Sequence, residues 1–92
     1  MIKTWKNSAT RQFAETGKSR FPGLDIEKAL NRIMLLRNVN RLDSIPRLNA
    51  YALHKLGGDR KGQWAFTING PWRLVFEFKD GDAYNVEIID YH

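Results

Sequence analysis

The hydrophobic positions change spacing along the chain, and each change marks an element. Residues 2 to 6 alternate, with Ile2, Thr4 and Lys6 on one side and Lys3 and Trp5 on the other, which predicts a short strand. Asn7-Ser8 then offers an N-cap, Ala9 and Phe13 lie four apart, and Gly17 supplies a stop, so a first helix is expected through about Thr16. After Phe21-Pro22-Gly23, Asp25 can cap a second helix. There Ile26, Leu30, Ile33, Met34 and Arg37 follow helical spacing, Ala29 and Leu36 widen the apolar stripe, and Lys28 and Arg32 occupy the other face. The polar stretch Asn38 to Asn49, which contains Pro46, reads as a loop with room for one short turn.

From Tyr51 the period becomes two. Tyr51 to Leu56 reads as a strand ending at Gly57-Gly58. Trp64, Phe66 and Ile68 then alternate with Gln63, Ala65 and Thr67, and Trp72, Leu74, Phe76 and Phe78 alternate with Arg73, Val75, Glu77 and Lys79. Turn signals at Asn69-Gly70-Pro71 and Asp80-Gly81-Asp82 connect these strands into a meander. Turns of three residues would set Ile68 opposite Trp72 and Phe78 opposite Tyr84 and keep one apolar face in phase, whereas a two-residue Asn-Gly loop would break it. The expected architecture is α+β: two N-terminal helices packed on one face of a mainly antiparallel sheet, in the order β-α-α-β-β-β-β. The first strand is free to join that sheet out of sequence order.

Composition narrows the function. Residues 1–92 fit one domain, which at this size buries roughly 60 to 65% of the surface of the unfolded chain. With no cysteine and with His54 and His92 far apart, the chain offers no disulfide framework and no zinc cluster, and no metal or cofactor is expected. The first residues lack the apolar core of a signal peptide, and no run approaches the roughly 18 to 20 apolar residues of a membrane span. A cytoplasmic protein with no membrane partner is the expectation. The net charge of +5 sits in the N-terminal half, where residues 1 to 46 carry nine Lys/Arg against four Asp/Glu, while residues 47 to 92 carry six against six. Such a surface attracts phosphate, although many small domains carry similar charge for solubility.

The run Leu53-His54-Lys55-Leu56-Gly57-Gly58-Asp59-Arg60-Lys61-Gly62-Gln63-Trp64, then Asn69-Gly70-Pro71-Trp72-Arg73-Leu74-Val75-Phe76, Asp80-Gly81-Asp82-Ala83-Tyr84 and the closing Ile88-Ile89-Asp90-Tyr91-His92, resembles HigB-type toxins of the RelE/ParE superfamily. The likeness is close over the last 40 residues and rests on element order and length before them. It implies a RelE-like fold and a ribosome-dependent endoribonuclease that cuts mRNA in the decoding site of the 70S ribosome. It also implies a helix-turn-helix antitoxin of the HigA type, with operator DNA bound only through the toxin-antitoxin complex. One position departs from the pattern, since close relatives often have lysine where this chain has Gly57. Lys55, Arg60 or Lys61 could then supply the phosphate contact.

Metal-free RNA cleavage activates a ribose 2′-hydroxyl against its own phosphate, so it needs a base, an acid for the departing 5′-oxygen and cations for the added charge. His54 and His92 have the ordinary pKa range for proton transfer at neutrality. The resemblance carries both over, and with them Asp90 as a base or as the group that orients a histidine. Arg73 suits a phosphate clamp because guanidinium bonds phosphate oxygens in pairs. Tyr91 could stack on a base or donate to phosphate. From the residues taken singly, an ordinary sheet position for His54 and a frayed tail for Asp90-Tyr91-His92 are the better readings, and a cover over an indole fits Arg73 equally; the resemblance overturns all three. Trp5, Trp64 and Trp72 read as core. Lys18, Arg20, Lys28, Arg32 and Arg37 are candidates for docking on ribosomal RNA or, equally, a solvated helix face.

Strict alternation puts Asp90 and His92 in phase with Tyr84, Val86 and Ile88, on the buried face, and Arg73 on the other. A bulge at Ile88-Ile89 is therefore expected, turning Asp90 and His92 toward Arg73. Two other functions compete: a superfamily toxin that binds a topoisomerase, which has no need of two histidines and an aspartate at one sheet edge, and a non-enzymatic basic nucleic-acid-binding module, whose binding would tolerate loss of His92.

Overall fold

A computed structural model describes residues 1–45 and 52–91 of the chain. Two helices, α1 (Ser8–Thr16) and α2 (Ile26–Asn38), precede a short 3-10 turn at Leu42–Ser44. Four strands follow: β1 (His54–Lys55), β2 (Trp64–Asn69), β3 (Trp72–Lys79) and β4 (Asp82–Asp90), with a second 3-10 turn, Gly58–Arg60, between the first two. The Asn7 side chain accepts the Thr10 N–H at 2.9 Å to open α1, and Gly17, at φ 76, closes it with an N–H donated to the Phe13 carbonyl. Asp25 caps α2 in the same way, accepting from Lys28 N–H at 3.1 Å. Both helices therefore begin where their polar punctuation predicts, and α1 ends at its glycine.

The strands form one antiparallel sheet in the order β1-β2-β3-β4. The N-terminal segment lies parallel along the outer edge of β4, out of sequence order, through two isolated bridges, Ile2 to Ala83 and Trp5 to Val86. Beyond these bridges the β4 edge is taken over by α1. The Ile88 N–H, turned away from β3, donates to the fully buried Thr10 hydroxyl at 3.0 Å. β1 is shorter than expected, and Tyr51, where that strand was expected to begin, lies outside the described residues together with Pro46 and Asn49.

The turns correct the expected phase. Asn69 pairs with Trp72 and Lys79 with Asp82, so both loops hold two residues, Gly70-Pro71 and Asp80-Gly81. Positive φ at Asp80 (52°) and Gly81 (87°) matches the right-handed twist of the flanking strands. The apolar face survives because two extra residues compensate. In β2, Thr67 pairs with Arg73 and Asn69 with Trp72, so Ile68 and Asn69 both turn to the helices. In β4, Tyr84 pairs with Glu77 and Glu87 with Val75, which leaves Asn85 (φ 52°) and Val86 opposite Phe76 alone. Tyr84 thus lies on the face away from the helices, while Ala83, Val86 and Ile88 enter the core.

That core joins Phe66, Ile68, Leu74 and Phe76 to Phe13, Ala29, Ile33 and Leu36 of the helices, each large aromatic or aliphatic side chain contributing about 1.5–3 kcal/mol on burial. The stripe of α2 is rotated from the expected one: Ala29, Arg32, Ile33 and Leu36 are buried, whereas Ile26 and Met34 are exposed. Polar anchors set that rotation. Arg32 Nε donates to the Thr67 carbonyl at 3.1 Å, beside the β2 bulge, and the Asn69 amide accepts from Asp25 N–H at 2.8 Å and donates to the Gly23 carbonyl at 2.9 Å. Among the described residues, no helix covers the second face of the sheet. It holds a small apolar cluster of Leu56, Ala65, Val75 and Ile89.

Candidate active site

Register decides which candidate residues share a face, because directly opposed residues point the same way. His54, Ala65, Val75 and Glu87 form one row across the helix-free face, and Thr67, Arg73 and Ile89 form the next. The ladder continues past β4, since the Tyr91 N–H donates to the Pro71 carbonyl at 2.8 Å, and alternation keeps Tyr91 with Ile89 and Arg73. Asp90 pairs with Trp72 and belongs to the helix-side face.

The expected bulge at Ile88-Ile89 is therefore wrong. Pairing is regular from Glu87 through Asp90, the bulge sits upstream at Asn85-Val86, and Arg73 and Asp90 arise on opposite faces. Their Cα atoms are about 6 Å apart by strand spacing and rise, but their side chains leave the ladder on opposite faces. Both lie at the end of the β3-β4 ladder, beside the Gly70-Pro71 turn. Asp90 is exposed there, and Tyr91 is 38% exposed. His92 lies outside the described residues.

The turn orients the guanidinium of Arg73. Its Nη1 donates to the carbonyls of Gly70 at 2.6 Å and Trp72 at 2.9 Å, which uses both hydrogens of that nitrogen. The Nε and Nη2 edge remains, in the geometry that takes two phosphate oxygens at once. His54 is held differently. Its Nδ1 lies 2.7 Å from the Ala52 carbonyl, and a carbonyl only accepts, so Nδ1 carries a hydrogen and, in the neutral ring, Nε2 is the nitrogen with a lone pair. Ala52 has φ 43°, a conformation that costs an alanine about 1–2 kcal/mol. His54 stands two strands and two residues from Arg73, about 12 Å by strand spacing and rise.

Of the cations expected near phosphate, Lys55 is on the helix-side face, its Nζ 5.5 Å from the centre of the Trp64 ring. Arg60 is engaged with Gln63 Oε1 at 3.1 Å and with Glu87 at 3.8 Å. Lys61 is exposed. Among the docking candidates, Lys18, Arg20, Lys28 and Arg37 are accessible on the helices and the loop between them, Arg37 lying over the Trp5 ring at 6.0 Å. Arg32 is only 4% exposed and bonded to Thr67 and Asn31, so its placement on a solvated face is corrected. Its sequence position, three residues after Ala29 and four before Leu36, carried that information.

Two features escaped the sequence reading. Lys3, Lys6 and Arg11 line a groove of about 420 Å³ along the N-terminal segment, and their separation in sequence hid it. Glu87 is buried, although alternation with Val86 and Ile88 marks it as an ordinary outward strand residue. Its burial comes from the loop between β1 and β2, and nothing local signals that.

The fold is that of a RelE-like toxin. It matches crystal structures of Escherichia coli YafQ, one of the protein from strain BL21(DE3) at 19% identity and one of a histidine-to-glutamine mutant at 18%. Each has a TM-score of 0.62 and covers 96% of this chain and 91% of the other. The model for the RelE-like toxin of the type II toxin-antitoxin system HigB matches residues 3–92, and the chain belongs to that family. The endoribonuclease HigB of Proteus vulgaris is 34% identical over 93 residues, all of both chains. A toxin of a type II system has an antitoxin as its partner. Among the described residues no helix is long and apolar enough to cross a membrane.

Proposed function

We propose that this chain, as one domain over residues 1–92, is an endoribonuclease that cuts mRNA on the 70S ribosome in the cytoplasm. The observation that carries the reading is the Arg73 guanidinium, held by two turn carbonyls through Nη1 with no partner for Nε and Nη2 among the described residues, at the strand end that also bears Asp90 and Tyr91. The name of the Proteus vulgaris relative supports the same activity.

In this reading the RNA crosses the end of the sheet at the Gly70-Pro71 turn. Arg73 holds the scissile phosphate from the helix-free face, Asp90 approaches from the other, and Tyr91 stacks or donates between them. A base takes the 2′-hydroxyl proton, O2′ attacks phosphorus, and the bond to O5′ breaks as an acid returns a proton. His54, whose neutral ring held through Nδ1 offers Nε2 as acceptor, suits the base, and Asp90 and His92 share the remaining proton transfers. No metal enters the scheme. The partner is a helix-turn-helix antitoxin of the HigA type, and operator DNA is bound through the complex of the two.

The test maps new 5′ ends of mRNA on translating ribosomes with the wild-type chain, Arg73→Ala, Asp90→Asn and His92→Gln. Discrete ribosome-dependent ends are expected from the wild type only. The proposal fails if the wild type makes none, or cuts equally well without ribosomes.

A further inference from the structure

Glu87 is an anomaly of the helix-free face. It is 7% exposed, and it shares the surroundings of Leu56, Ala65, Val75 and Ile89, where an aliphatic side chain would pack without the cost of burying a charge. Its cation is Arg60, whose Nη1 lies 3.8 Å from Glu87 Oε2 and also donates to Gln63 Oε1 at 3.1 Å. Arg60 ends the 3-10 turn Gly58–Arg60, in a loop whose backbone bonds are mostly to itself: Arg60 N–H to Gly57, Lys61 N–H to Gly58, Gln63 N–H to Arg60. Positive φ at Gly58 (59°) and Gly62 (95°) gives that loop a tight path without a wide footing on the sheet. The Arg60 side chain is what reaches from the loop across to β4.

We propose that Glu87 and Arg60 are positioning residues: their ion pair latches loop 57–62 to the helix-free face and so presents Lys61 to an RNA phosphate. The assignment deepens the ribonuclease reading and rests on it. It removes Arg60 from the RNA contacts, because its charge is already answered inside the protein. Lys55 lies on the other face, so Lys61 is the loop cation left exposed, and its ammonium has no partner among the described residues. Lys61 stands one residue past the latch, so holding Arg60 fixes where its ammonium is presented.

The experiment measures cleavage of a defined mRNA on ribosomes by the full-length chain, separating KM for ribosomes from kcat, together with amide exchange of residues 58–62. Glu87→Gln and Arg60→Glu are each expected to raise KM about tenfold with kcat within about twofold, and to speed exchange in the loop. Arg60→Glu combined with Glu87→Arg is expected to recover most of the loss. Adding Glu87→Gln to Lys61→Ala is expected to cost little beyond Lys61→Ala itself, because both remove one contact. Unchanged loop exchange in Glu87→Gln overturns the latch whatever the activity. So does a charge swap no better than its worse single variant, or full additivity of Glu87→Gln with Lys61→Ala. Should Glu87→Gln fold poorly, the swap decides. Absence of cleavage by the wild type overturns the ribonuclease reading instead, and loop exchange then still decides the latch.

Discussion

Replacing Thr10 by valine keeps the shape of a fully buried side chain and removes one acceptor. That acceptor serves the Ile88 N–H at 3.0 Å, at the point where the N-terminal segment has stopped covering the edge of β4. An N–H stranded in the interior costs about 1–3 kcal/mol, and valine's extra methyl gives back only part of it. A net loss of about 1–2 kcal/mol corresponds to a fall in Tm of roughly 4–16 °C for a domain of this size. Thr10→Ser supplies the control, since it keeps the hydroxyl and gives up one buried methyl, worth about 1 kcal/mol. Urea unfolding followed by tryptophan fluorescence gives both free energies, and amide exchange at Ile88 locates the effect. Valine is expected to be the worse substitution, with faster exchange at Ile88. If valine equals or exceeds serine in stability, the hydroxyl is not what holds α1 to β4.

Three further outcomes follow from the same geometry. Arg73→Lys keeps the charge but loses the paired edge and the turn contacts, so cleavage should fall about 10²–10³-fold, and near wild-type activity would refute the clamp. Asn69→Ala removes two bonds that tie the α2 N-terminus to β2 and should cost about 1–3 kcal/mol by urea unfolding; a loss under about 0.5 kcal/mol would show that the amide is not an anchor. In ¹⁵N spectra the neutral His54 ring should carry its proton on Nδ1, and a dominant Nε2-protonated form would remove it as the base.

Much of this was legible in the chain. Asn7, Gly17 and Asp25 set three helix ends through local hydrogen bonds, which any short window of sequence contains. Asn69-Gly70-Pro71 and Asp80-Gly81-Asp82 located the turns but not their length, which is two residues in each. What escaped was set at a distance. Ile26 and Met34 fit the helical stripe as well as Ala29 and Leu36 do, and only the contacts of Arg32 with Thr67 and of Asn69 with Asp25 choose between them. Glu87 is buried by a loop that precedes it by two whole strands, as the pairing with Arg60 shows. The faces of Arg73 and Asp90 were assigned correctly by alternation, but the means of bringing them together was misplaced. Regular pairing through Asp90 leaves the two side chains on opposite faces of the hairpin end.

The extra residue in β4 has a counterpart in the N-terminal segment. Ile2 and Trp5 differ in parity, yet both pack against the core, because each follows its bridge partner, Ala83 or Val86, across the same irregularity. Asn85 N–H donates to the Thr4 hydroxyl at 2.8 Å inside it. The two strips of chain are geared together like rack and pinion, one tooth added to each. Deleting Asn85 leaves every β3-β4 partnership available but throws Ile2 and Trp5 out of step; deleting Thr4 does the reverse. Each deletion should lower Tm, and the double deletion should recover much of it, so that lengths at the two ends of the chain are free to change only together.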